Sequence, residues 1–366
     1  MRDFDQAPFL VIWETTQACD LACLHCRAEA RPWRDPDELT TEEAMRLLDD
    51  VRRFGPIVFV FSGGDCLKRP DIVDLVGHAA SLGLRVGITP ATTSLATPEL
   101  VRRLAAAGLA RLAVSLDGSR PEIHDAFRGV AGSFDHGIRI LEESRQAGLS
   151  TQVNTVLAPH NIADLDELAA LMGRTGIALW EVFCLVPVGR ASIGDLSPAE
   201  AIEEVFHRLY DLSKTAPFDI KVTAGPHYNR VVLQRKAAEK RAGLREEARD
   251  VLTDGARHSK RDGIGRGRNV NDGDGFLFVS HRGEIYPSGF LPVSAGNVRK
   301  GDMVEVYRSS LLFRSLRDRS LLGGKCGACE YRAVCGGSRA RAWAVTGDWL
   351  ASDPYCAFIP AARRRA

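Results

Sequence analysis

The chain has 366 residues, 45% of them hydrophobic and 26% charged, and 48 Lys and Arg against 47 Asp and Glu give a formal net charge of +1. That composition fits a globular protein with room for one large α/β domain and a smaller one, and the balanced charge does not suggest nucleic-acid binding. Arg2, Asp3 and Asp5 precede only five consecutive apolar residues, Phe9 to Trp13, which make neither a signal peptide nor a membrane span. Nine cysteines without an export signal then imply a reducing, cytoplasmic setting, in which clustered thiols act as metal ligands.

In chain order, the first predicted strand, Phe9–Thr15, runs straight into Cys19-x3-Cys23-x2-Cys26. A closed zinc site wants four protein ligands, usually as two Cys-x2-Cys pairs. Three thiols on one loop suit a 4Fe-4S cluster, binding three irons and leaving the fourth open to a small molecule; zinc or chance clustering is the alternative. Further strands are predicted at Ile57–Ser62, Arg85–Thr89, Arg111–Leu116, Thr151–Leu157 and Leu179–Val186. The amphipathic stretches between them carry helix-start chemistry: Thr40 with Glu43, Asp164 with Glu167 and Ser197 with Glu200 as capping pairs, and Pro98 and Pro198 at first helical positions. Six β–α units in series imply a parallel sheet with helices outside it, either an open doubly wound sheet or a barrel.

Polar groups cluster where these strands end. Ser62-Gly63-Gly64-Asp65 follows the second strand; its glycines allow close backbone approach, and its carboxylate can accept from an ammonium. Ser115 and Asp117 close the fourth strand, Asn154 lies within the fifth, and Arg128 offers a planar fork suited to a carboxylate. Each of these taken singly is also what an ordinary loop carries.

After Pro217 the rhythm breaks. Residues 235–268 hold eleven Lys and Arg against six Asp and Glu, followed by glycine-rich stretches at Gly263–Gly267 and Asn271–Gly275. The segment reads as a solvated helix and loop, or as a lid whose cations meet an acidic substrate. Phe276–Ser280, Arg282-Gly283 and Glu284–Tyr286 predict a β-hairpin opening a second, smaller domain. In it Cys326-x2-Cys329-x5-Cys335-x20-Cys356 supplies four thiols, enough to saturate either zinc or a 4Fe-4S cluster. Of the remaining cysteines, Cys184 on an apolar strand is expected in the core, and Cys66 is expected to be a tolerated small residue, a redox role being its alternative.

The first motif resembles the signature of the radical S-adenosylmethionine (SAM) enzymes, Cys-x3-Cys-x-aromatic-Cys, with His25 in the aromatic position. Gly63-Gly64-Asp65-Cys66 resembles that family's Gly-Gly-Glu-Pro segment, with Asp for Glu and Cys for Pro. The resemblance implies an α/β fold: a partial (β/α)6 TIM-type barrel over residues 1–215, a linker or lid over 216–275, and a SPASM-like α+β domain over 276–366. Cys19, Cys23 and Cys26 would hold the SAM-cleaving cluster, and Cys326, Cys329, Cys335 and Cys356 an auxiliary 4Fe-4S cluster. Ser288 and Arg339 stand where members with a further cluster have cysteine, so two clusters in all are expected. His25, Gly63, Gly64, Asp65, Ser115, Asp117, Arg128, Asn154 and the backbone at Val186 would contact SAM. An electron from a reductant such as flavodoxin or ferredoxin would cleave SAM to methionine and a 5′-deoxyadenosyl radical that takes hydrogen from the substrate.

Phe183–Arg190, Ala224–Tyr228, Tyr286–Pro292 and Cys335–Arg341 resemble the branch that modifies tetrapyrrole side chains in haem and haem d1 synthesis. This implies a tetrapyrrole carboxylate as substrate, with Arg190, Arg339 and Arg341 as its cationic partners and His227 and Tyr228 as proton donors or iron ligands. A ribosomally made peptide is the alternative substrate, and an iron–sulfur binding or regulatory protein without SAM chemistry is the alternative class.

Overall fold

Strand and helix alternate in the computed structural model, which describes residues 3–243 and 270–364. They run β1 (Leu10–Glu14), α1 (Thr41–Arg52), β2 (Val58–Ser62), α2 (Ile72–Ser81), β3 (Arg85–Ile88), α3 (Pro98–Ala106), β4 (Arg111–Ser115), α4 (Pro121–Arg128), α5 (Ser133–Gln146), β5 (Ser150–Leu157), α6 (Leu165–Thr175), β6 (Leu179–Cys184) and α7 (Ala199–Thr215). Thr40 caps α1 in a full capping box with Glu43, and Thr97 caps α3 with Pro98 in its first turn. The other two expected pairs do not form: α6 and α7 start without a side-chain cap. Asp164 instead accepts from the backbone and hydroxyl of Ser119.

Two further strands extend the parallel sheet beyond the six expected. β7 (Asp219–Thr223) adds to β6, and α8 (His227–Arg241) follows it, inside the stretch read as linker or lid; the glycine-rich Gly263–Gly267 lies outside the described residues. The expected hairpin exists as β8 (Phe276–Val279) and β9 (Glu284–Tyr286), but β8 pairs in parallel with β1, so the C-terminal region continues the first sheet. With β10 (Gly296–Asn297) the order is β10-β9-β8-β1-β2-β3-β4-β5-β6-β7. The chain then adds α9 (Met303–Ser309), α10 (Leu311–Arg317), α11 (Gly324–Gly327), α12 (Arg339–Thr346) and α13 (Ala361–Arg364).

The two faces of this sheet differ in chemistry. Trp13, Phe59, Phe61, Val114, Val153, Trp180 and Val182 are fully buried beneath the helices in a single apolar core, each side chain of this size contributing roughly 1.5–3 kcal/mol. On the other face Ser115, Asn154, Glu181 and Lys221 stand side by side in register across β4, β5, β6 and β7. A flat sheet would set β8 and β6 roughly 29 Å apart, at about 4.8 Å per strand spacing. Yet the ring of Phe183 on β6 lies 6.3 Å from that of Phe290, just beyond β9. The sheet therefore curls, and its polar face lines the inside.

Candidate active site

The cysteine loop leaves β1 at its C-terminal end and is closed at its base by Cys19 N–H donating to Arg31 O at 2.8 Å. Cys19 and Cys23 are buried, and Cys26 is half-buried. A donor is aimed at each sulfur: Leu21 N–H at 3.4 Å from Cys19, Arg128 Nη1 at 3.8 Å from Cys23, and Ala30 N–H at 3.4 Å from Cys26. Burial pushes the Cys19 thiol up to about 12, and burial also raises Cys23 in spite of Arg128. Such thiols ionise only when a metal takes the charge. Among the described residues no three metal-ligating side chains are already drawn into a metal site. The fit of an iron–sulfur cluster therefore rests on donor chemistry, three neighbouring sulfurs each supplied with an N–H group.

Glycines let the surrounding loops press against this one. A Cβ on Gly63 would lie 2.5 Å from Thr16 O, and one on Gly64 would lie 2.6 Å from both Gln17 O and Ala18 O. Gly129, with φ +71°, lies against Ala22, and Gly189, with φ +65°, lies against the carbonyls of Cys26 and Arg27. The expected Gly-Gly segment thus touches the backbone of the cysteine loop itself.

Asp65 does not point an open carboxylate at a ligand. It is fully buried and accepts from the Thr93 hydroxyl at 2.7 Å and from the backbones of Leu67 and Ala91. Cys66 and Cys184 both lie in the apolar core. Asp117 is likewise fully buried, accepting from Arg128 Nε at 2.6 Å and Val156 N at 2.8 Å. Burial alone would raise its pKa, but Arg128 holds the carboxyl below the usual range. His25 stacks flat on Phe127, with ring centroids 4.1 Å apart and planes 5° apart, and Phe127 meets His160 at 4.0 Å. Burial, reinforced by Arg128, pushes His25 down to about 3, leaving a neutral ring beside the cysteine loop. The Val186 side chain packs against Leu291, Leu312 and Ala340, joining the end of β6 to the C-terminal region.

The inner face carries a polar network that the sequence reading missed beyond Ser115 and Asn154. Glu181 accepts from Lys221 Nζ at 2.6 Å, Thr223 Oγ1 at 2.5 Å and Gln152 Nε2 at 2.8 Å, and Gln152 also meets Arg111 and Asn154. The signal was available as strict polar–apolar alternation in Asp-Ile-Lys-Val-Thr of β7, which predicts one wet face.

A cavity of about 490 Å³ opens between the cysteine loop and the β8–β9 hairpin. Phe278, Tyr286, Val188 and Pro292 give it apolar walls, and Arg27, Arg31 and Arg282 give it cations. Arg27 pairs with Glu14 at 2.7 Å and lies 4.7 Å over the Phe278 ring. Arg282 pairs with Asp35 at 2.7 Å. The Arg31 guanidinium donates to the Gln17 amide oxygen at 3.1 Å and has no carboxylate partner among the described residues. His281 Nδ1 lies 2.8 Å from Glu14, and its Nε2 has no hydrogen-bond partner among the described residues. Arg27 immediately follows Cys26 in the sequence, whereas Arg31, five residues on, carries no such signal.

The five residues expected at the substrate do not line this cavity. Arg190 donates to the carbonyls of Cys23 and Ala30, bracing the cysteine loop. Arg341 is buried, pairs with Asp353 at 2.7 Å and donates to Ala224 O and Leu185 O. Arg339 is wholly buried among backbone carbonyls. His227, pushed by burial to about 3, and Tyr228 sit inside the core at the start of α8. For Arg339, Arg341, His227 and Tyr228 burial is the physical reason, because side chains that close a core cannot also form a rim; Arg190 is exposed but is engaged by the carbonyls of the cysteine loop.

In the C-terminal region Cys326 is buried, while Cys329, Cys335 and Cys356 are half-buried. Asp353 N–H and Arg339 Nη2 point at the Cys326 sulfur, at 3.3 and 3.7 Å, and Gly337 N–H lies 3.4 Å from that of Cys335. Ser288 hydrogen-bonds to Asp272, which also accepts from Ala340 N–H at 2.9 Å, so a polar link stands at that position.

Comparison with known proteins agrees with this geometry. The Radical SAM superfamily profile matches residues 13–172. An AdoMet-dependent heme synthase of Methanosarcina barkeri is 38% identical over 97% of both chains, and one of Nitratidesulfovibrio vulgaris is 40% identical over 96% of this chain and 92% of its own. Streptococcus suis SuiB, solved with S-adenosylmethionine, superposes with a TM-score of 0.70 at 17% identity, covering 96% of this chain and 78% of its own.

Proposed function

The chain belongs to the radical SAM superfamily and is an enzyme, and on that premise we propose that it acts on the carboxylate side chains of a tetrapyrrole in haem-type biosynthesis. The observation that carries this reading is the cavity beside the cysteine loop, with apolar walls and the guanidinium of Arg31 at its edge, in a lining that also holds Glu14, Glu29 and Glu284. Its volume lies within the roughly 300–1,000 Å³ of small-molecule sites. Arg31, free of a carboxylate among the described residues, is the cation best placed to receive one from the substrate. Charge-assisted pairs of this kind contribute on the order of 1.5–3 kcal/mol each. The full-length identity with AdoMet-dependent heme synthases supports the same substrate class.

Cys19, Cys23 and Cys26 would hold the SAM-binding cluster, and Cys326, Cys329, Cys335 and Cys356 an auxiliary one. Once reduced by an external donor, a cluster held by the first three would supply the electron needed to cleave SAM. This chain's residues then have distinct tasks. Arg128 compensates thiolate charge at Cys23 and is itself neutralised by Asp117. Gly63, Gly64 and Gly189 let the neighbouring segments press onto the backbone of the loop. Ser115 and Asn154 face the lumen, where polar groups of SAM would need partners.

The test is a titration of the anaerobically reconstituted protein with iron-coproporphyrin, read in the Soret band, beside an assay for 5′-deoxyadenosine. A shifted band and stimulated release support the proposal. No tetrapyrrole binding, together with release stimulated by a peptide, would overturn it in favour of peptide maturation.

A further inference from the structure

Arg339 is a fully buried guanidinium whose charge has no carboxylate answer among the described residues. Its donors go to Gly337 O at 3.2 Å, Trp349 O at 2.8 Å, Ala351 O at 2.6 Å and the Cys326 sulfur at 3.7 Å. Of the charges nearby, Asp353 is engaged by Arg341 and Arg230 by Glu203 at 2.5 Å, Asp272 accepts from the Ser288 hydroxyl and Ala340 N–H, and Lys325 Nζ donates to Cys356 O. Gly337 makes the approach possible, because a Cβ there would lie 2.5 Å from Arg339 Nη2 and 2.9 Å from the Cys326 sulfur. A buried, unpaired charge is strongly destabilising, so a site that retains one has its counter-charge elsewhere.

We propose that Arg339 is the internal counter-charge of the auxiliary site, stabilising the more negative, reduced state of a cluster held by Cys326, Cys329, Cys335 and Cys356. This rests on the auxiliary cluster proposed above. Cluster potentials are set by net charge, hydrogen bonds to sulfur and solvent exposure. Arg339 acts through the first two: it brings a full positive charge, itself sealed from water, and it donates to one ligand sulfur. The field of a charge so enclosed is little screened by salt. Arg339 is thus a positioning residue that makes the auxiliary cluster easier to reduce, and it does not touch substrate.

The test is a potentiometric titration of the reconstituted full-length protein followed by electron paramagnetic resonance, the auxiliary signal being the one that added SAM leaves unchanged. At the wild-type midpoint, Arg339→Gln should lower the reduced-to-oxidised ratio of that signal at least tenfold, equivalent to about 59 mV for one electron. Arg339→Lys, which keeps the charge, should stay within about threefold of wild type. A ratio unchanged in Arg339→Gln, or lowered equally in both variants, overturns the proposal. If Arg339→Gln loses its auxiliary iron, Arg339→Lys decides: retained iron and ratio support a charge requirement, and loss of iron from both overturns it. Zinc in place of iron at this site in the wild-type protein would instead sink the auxiliary-cluster reading itself, a separate outcome seen before any variant is made.

Discussion

Arg128 joins Asp117 to Cys23: its Nε donates to Asp117 Oδ2 at 2.6 Å while its Nη1 lies 3.8 Å from the Cys23 sulfur. One guanidinium therefore ties the end of the fourth strand to the cysteine loop, and both charges of the ion pair are shielded from water. Removing one partner leaves the other charge buried. Asp117→Ala should destabilise the fold by about 3–5 kcal/mol in urea unfolding. The double variant Asp117→Ala/Arg128→Ala should lose less than the sum of the two single changes. Strict additivity would show that the pair is not coupled.

Gly189 separates close packing from simple backbone strain. It and Gly148 both have positive φ, +65° and +78°, but only Gly189 lies against the Cys26 and Arg27 carbonyls, and Gly148 has nothing within 4 Å of a built Cβ. Gly148→Ala should cost about 1–2 kcal/mol for the left-handed backbone alone. Gly189→Ala should cost more, and should halve the iron retained after reconstitution. Equal iron content in the two variants would remove the case for close packing.

Iron analysis follows the ligand arithmetic. Two four-iron clusters give about eight irons per chain. Replacing Cys19, Cys23 and Cys26 together by Ala should remove half of that iron and all SAM cleavage. Replacing Cys326 and Cys329 should remove the other half and spare some cleavage. Uniform loss of iron from both variants would mean that the sites are not independent.

At the cavity, Arg31→Ala should weaken iron-coproporphyrin binding at least about tenfold, the lower end of what a charge-assisted contact provides. SAM cleavage without substrate should be unchanged, because Arg31 lies beyond the last cysteine of the loop. An unchanged Soret titration would move the carboxylate contact to another cation.

Three buried histidines make the fold sensitive to acid. Burial pushes His25 and His227 down to about 3 and His124 to about 4, from an ordinary value near 6.5. Between those values the unfolded chain takes up protons that the folded one refuses. Their contribution is complete above pH 6.5 and is lost as pH falls toward 4, by up to about tenfold in the unfolding equilibrium per pH unit per histidine. Urea midpoints at pH 7.5, 6 and 5 should fall in that order. His124→Gln should flatten the decline; an equal slope in that variant would acquit His124.

The sequence by itself determined the chemistry and the order of the elements. Cysteine spacing is local, and β–α alternation is written in runs of apolar residues, so Cys19–Cys26, Cys326–Cys356 and the first six strands could be read directly. What only the tertiary structure decided was which polar groups remain available. Asp65 and Arg339 look like ligand contacts in the chain, and folding encloses both among internal partners. Arg31 looks incidental, yet the curl of the sheet sets it at the edge of a cavity shared with residues some 250 positions away. The pairing of β8 with β1 belongs to the same category. A strand's own sequence specifies its faces, whereas its neighbour is chosen by which edge the rest of the fold leaves open.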